Sequence, residues 1–156
     1  MKLVIQRVSS ASVSVNGKVV SQIGKGVFVL IGIGKGDTEE DAKVLAEKLS
    51  KMRVMSDQTN KRSHGSFPRN ARKMNLAVKD VNGEILVVSQ FTLYADTKGG
   101  NRPSFIDAAD PKIAEPIYNC FVEQLQQKGI LVKTGVFGEY MEIDLFLDGP
   151  VTIILN

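Results

Sequence analysis

The sequence has no tryptophan, one cysteine (Cys120) and one histidine (His64) among 156 residues. A lone cysteine excludes an internal disulfide and a cysteine-rich zinc site, and its use fits a reducing compartment. One histidine excludes a metal site built on two imidazoles of one chain, and any Ser-His-Asp triad would hang on His64 alone. No stretch approaches the roughly 20 apolar residues of a membrane span. The first residues, Met1-Lys2-Leu3-Val4-Ile5-Gln6-Arg7-Val8, lack the roughly 7–15-residue apolar core of a secretion signal. The expectation is a soluble, cytoplasmic protein without a membrane partner.

Apolar residues make up 43% and charged ones 24%, which suits one ordinary globular domain. The formal charge of +3 is unevenly placed. Lys61, Arg62, Arg69, Arg72 and Lys73 fall in one segment with no acid among them. The remainder carries 15 basic against 17 acidic residues, a net of −2. Asp57 to Lys73 also holds Gly65 and Pro68 without apolar periodicity, so it reads as an exposed basic loop over about 57–73. It is either a solvated excursion or an arm that contacts phosphates.

Elsewhere the pattern predicts strands and two helices. Leu3 to Val8 and Ser10 to Val15 read as strands. Asn16-Gly17 supplies the two positive-φ positions of a hairpin turn, and Lys18 to Ile23 returns. Gly26 to Ile33 is continuously apolar, as in a central strand covered on both faces. Asp37 is positioned to cap a helix whose stripe is Ala42, Leu45, Ala46, Leu49 and Met52. A short strand is expected at Arg53-Val54-Met55 and a long one from Glu84 to Ala95. Asp110-Pro111 opens a second helix with the stripe Ile113, Ala114, Ile117, Phe121 and Leu125, and Lys128-Gly129 ends it. The tail alternates from Met141 to Leu145, turns at Asp148-Gly149-Pro150 and closes with Val151 to Leu155. The fold class is α+β: a single domain over 1–156, with a strand-rich mixed or antiparallel, barrel-like sheet and two main helices.

Two places could carry chemistry. Ser89, Gln90 and Thr92 interrupt an apolar strand, where an unpartnered polar side chain costs roughly 1–3 kcal/mol. They either bond to neighbouring strands or line a site. Alternation sets Ser89 and Phe91 against Gln90 and Thr92, so all four share a pocket only at a bulge or where the strand runs out. Gly149-Pro150 reads as an ordinary turn or as a cis bond that opens its backbone to a ligand.

Ser89-Gln90-Phe91-Thr92-Leu93 and Gly149-Pro150-Val151-Thr152 together resemble the paired signature motifs of the D-aminoacyl-tRNA deacylase family. Gln6-Arg7-Val8, Gly36-Asp37-Thr38, Met74-Asn75-Leu76, Gly83-Glu84-Ile85-Leu86, Gly100 to Phe105 and Phe137 to Met141 extend the likeness almost end to end. The resemblance implies a homodimer with active sites at the subunit interface, no cofactor and no metal. The implied substrate is tRNA esterified with a D-amino acid or glycine, and the products are amino acid and tRNA. A cis Gly149-Pro150 would reach into the partner's pocket, hold the substrate's amino group and exclude L side chains. Arg7 would brace that motif, with Val151 beside it and Met141 lining the pocket. Thr92 would be a positioning residue first and a nucleophile second, since the sequence supplies no local base to activate it. Ser89 and Gln90 would orient the ester, and Phe91 would meet the terminal adenine. Backbone amides near Phe91-Thr92 would bind the oxyanion, assisted by the tRNA 2′-hydroxyl. The basic loop, Lys61, Arg62, Arg69, Arg72 and Lys73, would then contact tRNA. The chain departs from the family pattern at Leu147, where asparagine is usual, and in the length of that loop. A non-catalytic nucleic-acid-binding protein on the same fold is the alternative, and a small-molecule hydrolase with a threonine nucleophile is a second.

Overall fold

The computed structural model describes residues 1–56 and 73–156. Lys61, Arg62, His64, Arg69 and Arg72 lie outside the described residues, whereas Lys73 is described and exposed.

The chain opens with β1 (Lys2–Val15), one 14-residue strand where the pattern predicts two. Register shifts against the last strand occur near Arg7 and Val8 to Ser10, so the strand bends there without ending. Asn16 and Gly17 take φ of 51° and 72°, the left-handed pair that a tight hairpin requires. β2 (Lys18–Ile23) returns antiparallel along the second half of β1. β3 (Gly26–Gly32) pairs with the first half of β1 and is apolar because both of its faces are covered.

α1 (Glu39–Lys51) is capped by Thr38, not Asp37. The Thr38 N–H donates to Asp41 at 2.8 Å while the Asp41 N–H donates to Thr38 Oγ1 at 3.4 Å, a reciprocal cap. Asp37 is committed elsewhere. A two-residue strand, β4 (Met55–Ser56), begins two residues later than expected and pairs with β5 (Met74–Leu76) across the undescribed segment. β6 (Glu84–Ser89) then runs parallel to β3.

α2 (Pro111–Gln127) begins at an Asp110 cap that accepts from the Lys112 N–H at 2.9 Å. Its inner face is Ala114, Ile117, Tyr118, Phe121, Val122 and Leu125. Ile113 is exposed, contrary to the expected stripe. Tyr118 supplies the reason: its hydroxyl donates to the Val87 carbonyl at 3.0 Å, which turns the 114–118 face toward the sheet. β7 (Leu131–Thr134) is a further parallel partner of β6, and β8 (Glu142–Leu155) runs antiparallel along β1.

The sheet order β2-β1-β3-β6-β7, with β8 on β1, buries apolar residues on both faces. Leu3, Ile5, Val27, Val29, Ile85 and Val87 pack under the two helices. Val8, Ala11, Val13, Phe28, Leu86 and Val88 form the second cluster, where the sheet curls over itself as a barrel. Burying side chains of this size contributes about 1.5–3 kcal/mol each, so both faces hold the strands in register. No helix of the described residues is long and apolar enough to cross a membrane.

Candidate active site

The expected strand from Glu84 to Ala95 stops at Ser89. Phe91–Tyr94 form a 3₁₀ turn instead. Gln90 donates its N–H to the Ile31 carbonyl at 2.8 Å, one last sheet bond, and the chain then folds under itself. Leu93 seats on the last residue of β3 and Tyr94 on the segment after it, because glycine leaves room at both places. A Cβ on Gly32 would stand 2.9 Å from Leu93 Cβ, and one on Gly34 would stand 2.4 Å from the Tyr94 ring. The conflict raised by strand alternation is thereby resolved: the polar residues sit where the strand runs out, not along a flat face.

Ser89 and Gln90 are half-buried, while Phe91 and Thr92 are exposed. Gln90 Nε2 donates to Thr92 Oγ1 at 2.6 Å, which joins two of the four candidates directly. In that bond the threonine oxygen is the acceptor, and among the described residues its hydroxyl has no hydrogen-bond acceptor. Phe91 meets Phe105 edge to face, with ring centroids 5.1 Å apart. Phe105 is a neighbour that the sequence pattern did not single out. Its only sequence signal is its place in the Gly100 to Phe105 segment. Among the described residues the Phe91 and Thr92 amides find no acceptor, as expected for the first N–H groups of a helical turn. Met141 lies at the same end of the sheet, with its sulfur against Gly135 and near Val88.

The second cluster is built on Arg7. Gln6 pairs with Thr152 and Val8 with Leu147, so Asp148 to Val151 stand opposite Arg7 alone. The chain does not reverse at Gly149-Pro150, as a turn would; it loops out of β8 and continues in the same direction. Gly149 and Pro150 are exposed, Val151 is half-buried, and the Gly149-Pro150 bond is cis. Arg7 is the one buried charged residue among the described residues. Its Nε reaches the Asp148 carbonyl at 3.0 Å and the Asp148 carboxylate at 3.1 Å. Its Nη1 donates to the Val54 carbonyl at 2.9 Å and to Ser56 Oγ at 3.1 Å. The guanidinium fork thus ties the bulge to β4. Val54 and Ser56 were not expected in this role; the fork's reach across the sheet shows only in the folded chain.

Within one chain the two clusters are apart. Ser89 shares a row with Ile31 and Leu3, whereas Arg7 shares one with Val27 and Ile85. At about 3.3 Å per residue these rows are roughly 13 Å apart along the strands. Among the described residues no group of three His, Cys, Asp or Glu side chains is placed to hold a metal ion.

A family profile described as D-Tyr-tRNA(Tyr) deacylase matches residues 4–156. A D-aminoacyl-tRNA deacylase of Roseiflexus castenholzii is 51% identical over 156 residues, which are all of this chain and 92% of that protein. The corresponding protein of Dictyoglomus turgidum is 50% identical over the same shares. A solved structure named c-Myc DNA Unwinding Element Binding Protein is 40% identical, with a TM-score of 0.85 over 100% of this chain and 98% of its own. With its two signature segments placed at the end of β6 and in the β8 bulge, and matched over its whole length, the chain belongs to the D-aminoacyl-tRNA deacylase family.

Proposed function

We propose that the protein hydrolyses the ester of D-aminoacyl-tRNA, and of glycyl-tRNA, releasing the amino acid and free tRNA. The observation that carries this reading is the exposed turn at the end of β6. There Gln90 and Thr92 are bonded to each other beside two amides that find no acceptor among the described residues. An aminoacyl ester is already activated, so oriented donors for the developing oxyanion and a well-placed attacking oxygen are enough. In this reading the Phe91 and Thr92 amides receive the oxyanion, Thr92 and Gln90 orient the ester, and Ser89 supports them. The tRNA 2′-hydroxyl assists the attack, Phe91 meets the terminal adenine, and Met141 closes the pocket wall.

Selection for the D configuration is assigned to the Gly149-Pro150-Val151 bulge of a second subunit. The separation of the two clusters along the strands supports this, because one chain's bulge stands at the wrong end of β3 for its own Thr92. β8 exposes Phe146, Leu147 and Ile154, apolar area that a homodimer would cover. The 156 residues would act as one domain, in the cytoplasm, with the basic loop as its tRNA arm.

The test is release of D-tyrosine from D-Tyr-tRNA, with L-Tyr-tRNA as the control. Turnover of the D ester at least about a hundredfold faster is expected. Thr92→Ala should retain a fraction of the rate, since the threonine orders the ester without attacking it. Complete loss, with activity on free D-amino acid esters, would instead mark a threonine nucleophile. The DNA-binding name of the 40% identical structure favours one second reading, a nucleic-acid-binding protein without hydrolysis. Tight tRNA binding with no release of amino acid would establish it. Neutralising Lys61, Arg62, Arg69, Arg72 and Lys73 should weaken tRNA binding and flatten its salt dependence. Unchanged affinity and slope would remove the loop from the interface.

A further inference from the structure

The turn carrying Phe91 and Thr92 is four residues long, and its sheet pairing ends at Gln90. The Gln90 sheet bond holds its near end, and the position of the rest is set by what its far end touches. The Tyr94 hydroxyl donates to Asp37 Oδ2 at 3.0 Å, and the Gly34 N–H donates to the same oxygen at 2.6 Å. The other carboxylate oxygen of Asp37 takes the Met1 α-amine at 2.6 Å. Lys2 Nζ donates to the Leu93 carbonyl at 3.1 Å and sits 4.5 Å from the Tyr94 ring centroid. Gly34 gives that ring its seat, since any side chain there would occupy the ring's own space.

We propose that Asp37 and Tyr94 form a latch that sets the position of Gln90 and Thr92 by pinning the far end of their turn to the segment after β3. Both act as positioning residues for the reaction proposed above and rest on that reading. Tyr94 stands two residues beyond Thr92, so a shift of its ring is transmitted through a single short turn. The acceptor is a carboxylate, which makes this bond stronger than one between neutral groups. Burial, with the Asp37 carboxylate as a further cause, pushes the Tyr94 phenol up to about 12, so it stays a donor at neutral pH. The loss would be felt as misorientation of the reacting groups, for which a displacement near 1 Å costs on the order of a hundredfold in rate.

Tyr94→Phe isolates the latch, because the ring keeps its seat on Gly34 and its place under Lys2. Steady-state deacylation of D-Tyr-tRNA is measured well below the melting temperature, together with amide hydrogen exchange across 91–95. The expected result is a kcat lower by about tenfold, a KM within about twofold of the parent, and faster exchange at Leu93 and Ala95, whose amides close the turn. Asp37→Asn should reproduce both effects, and adding it to Tyr94→Phe should cost little more than either alone. A retained kcat overturns the latch even if the melting temperature falls, and so does unchanged exchange across the turn. If the parent protein releases no amino acid, the hydrolytic reading fails, while the exchange measurement still decides whether Asp37 and Tyr94 hold the turn.

Discussion

Replacing Arg7 with leucine should lower the stability of the protein by about 2–5 kcal/mol, which corresponds to a fall in melting temperature of roughly 10 °C. The substitution leaves the Val54 and Asp148 carbonyls without the donor that both share, and an unsatisfied buried acceptor costs about 1–3 kcal/mol. Leucine recovers some apolar burial, which offsets part of that loss. Asp148 itself is half open to water, so its carboxylate adds little to the penalty. Arg7→Lys should fall between the two, because one ammonium cannot reproduce a planar fork aimed at Asp148 on one side and at Val54 and Ser56 on the other. Urea or thermal unfolding of the three proteins measures the order. A leucine variant as stable as the parent would show that the bulge holds its shape without Arg7. In deacylation the leucine variant should also lose D over L selection, since the bulge it anchors is the proposed selective element.

Gly149→Ala should behave differently, with a large loss of activity and a small loss of stability. Gly149 has a φ of 138°, a conformation that L residues rarely adopt and that costs about 1–3 kcal/mol to impose. An added Cβ would also stand 2.8 Å from the Val151 nitrogen, 2.9 Å from Val151 Cγ2 and 3.3 Å from Arg7 Nη2. The nearest of these is backbone, so the bulge must change shape. The ladder on either side, Gln6 with Thr152 and Val8 with Leu147, does not depend on that shape. The melting temperature is therefore expected to drop by only a few degrees, while turnover of D-Tyr-tRNA falls on the order of a hundredfold. Unchanged turnover and unchanged D over L selection would take the bulge out of the mechanism. The contrast between the two variants matters more than either value. Arg7 acts on the fold and the site together, whereas Gly149 acts on the site.

Much of this architecture was open to a reading of local chemistry. Asn16-Gly17, Asp110-Pro111 and the apolar run of β3 each state their element through dihedral preference, capping or burial on two faces. The departures have a common cause in contacts made from far away. Asp37 could cap α1 on local grounds, yet its carboxylate is drawn to Gly34, Tyr94 and the Met1 amine, and Thr38 takes the cap. Phe91 and Leu93 prolong the apolar character of β6, whose Ile85 to Val88 are continuously apolar, so nothing in the pattern ends the strand at Ser89. Space beside Gly32 and Gly34 does. Ile113 fits the helical stripe of α2, but the bond from Tyr118 to Val87 turns that position outward.

The sequence by itself determined the two helices, the Asn16-Gly17 hairpin and the buried strand β3, where the two signature motifs stand, and that they belong to a known family's pattern; the short strands β5 and β7 were not read from it. These depend on neighbours within a few residues, whose preferences survive in any fold. Tertiary structure alone decided that Ser89 to Thr92 leave the sheet as a turn and that Asp148 to Val151 loop out over one buried arginine. It also decided that the two motifs lie at opposite ends of β3. Arg7 and Asp148 are 141 residues apart, and Asp37 and Tyr94 are 57 apart. Partners at such separations meet only through strand register, which the packing of both sheet faces sets and no local pattern contains.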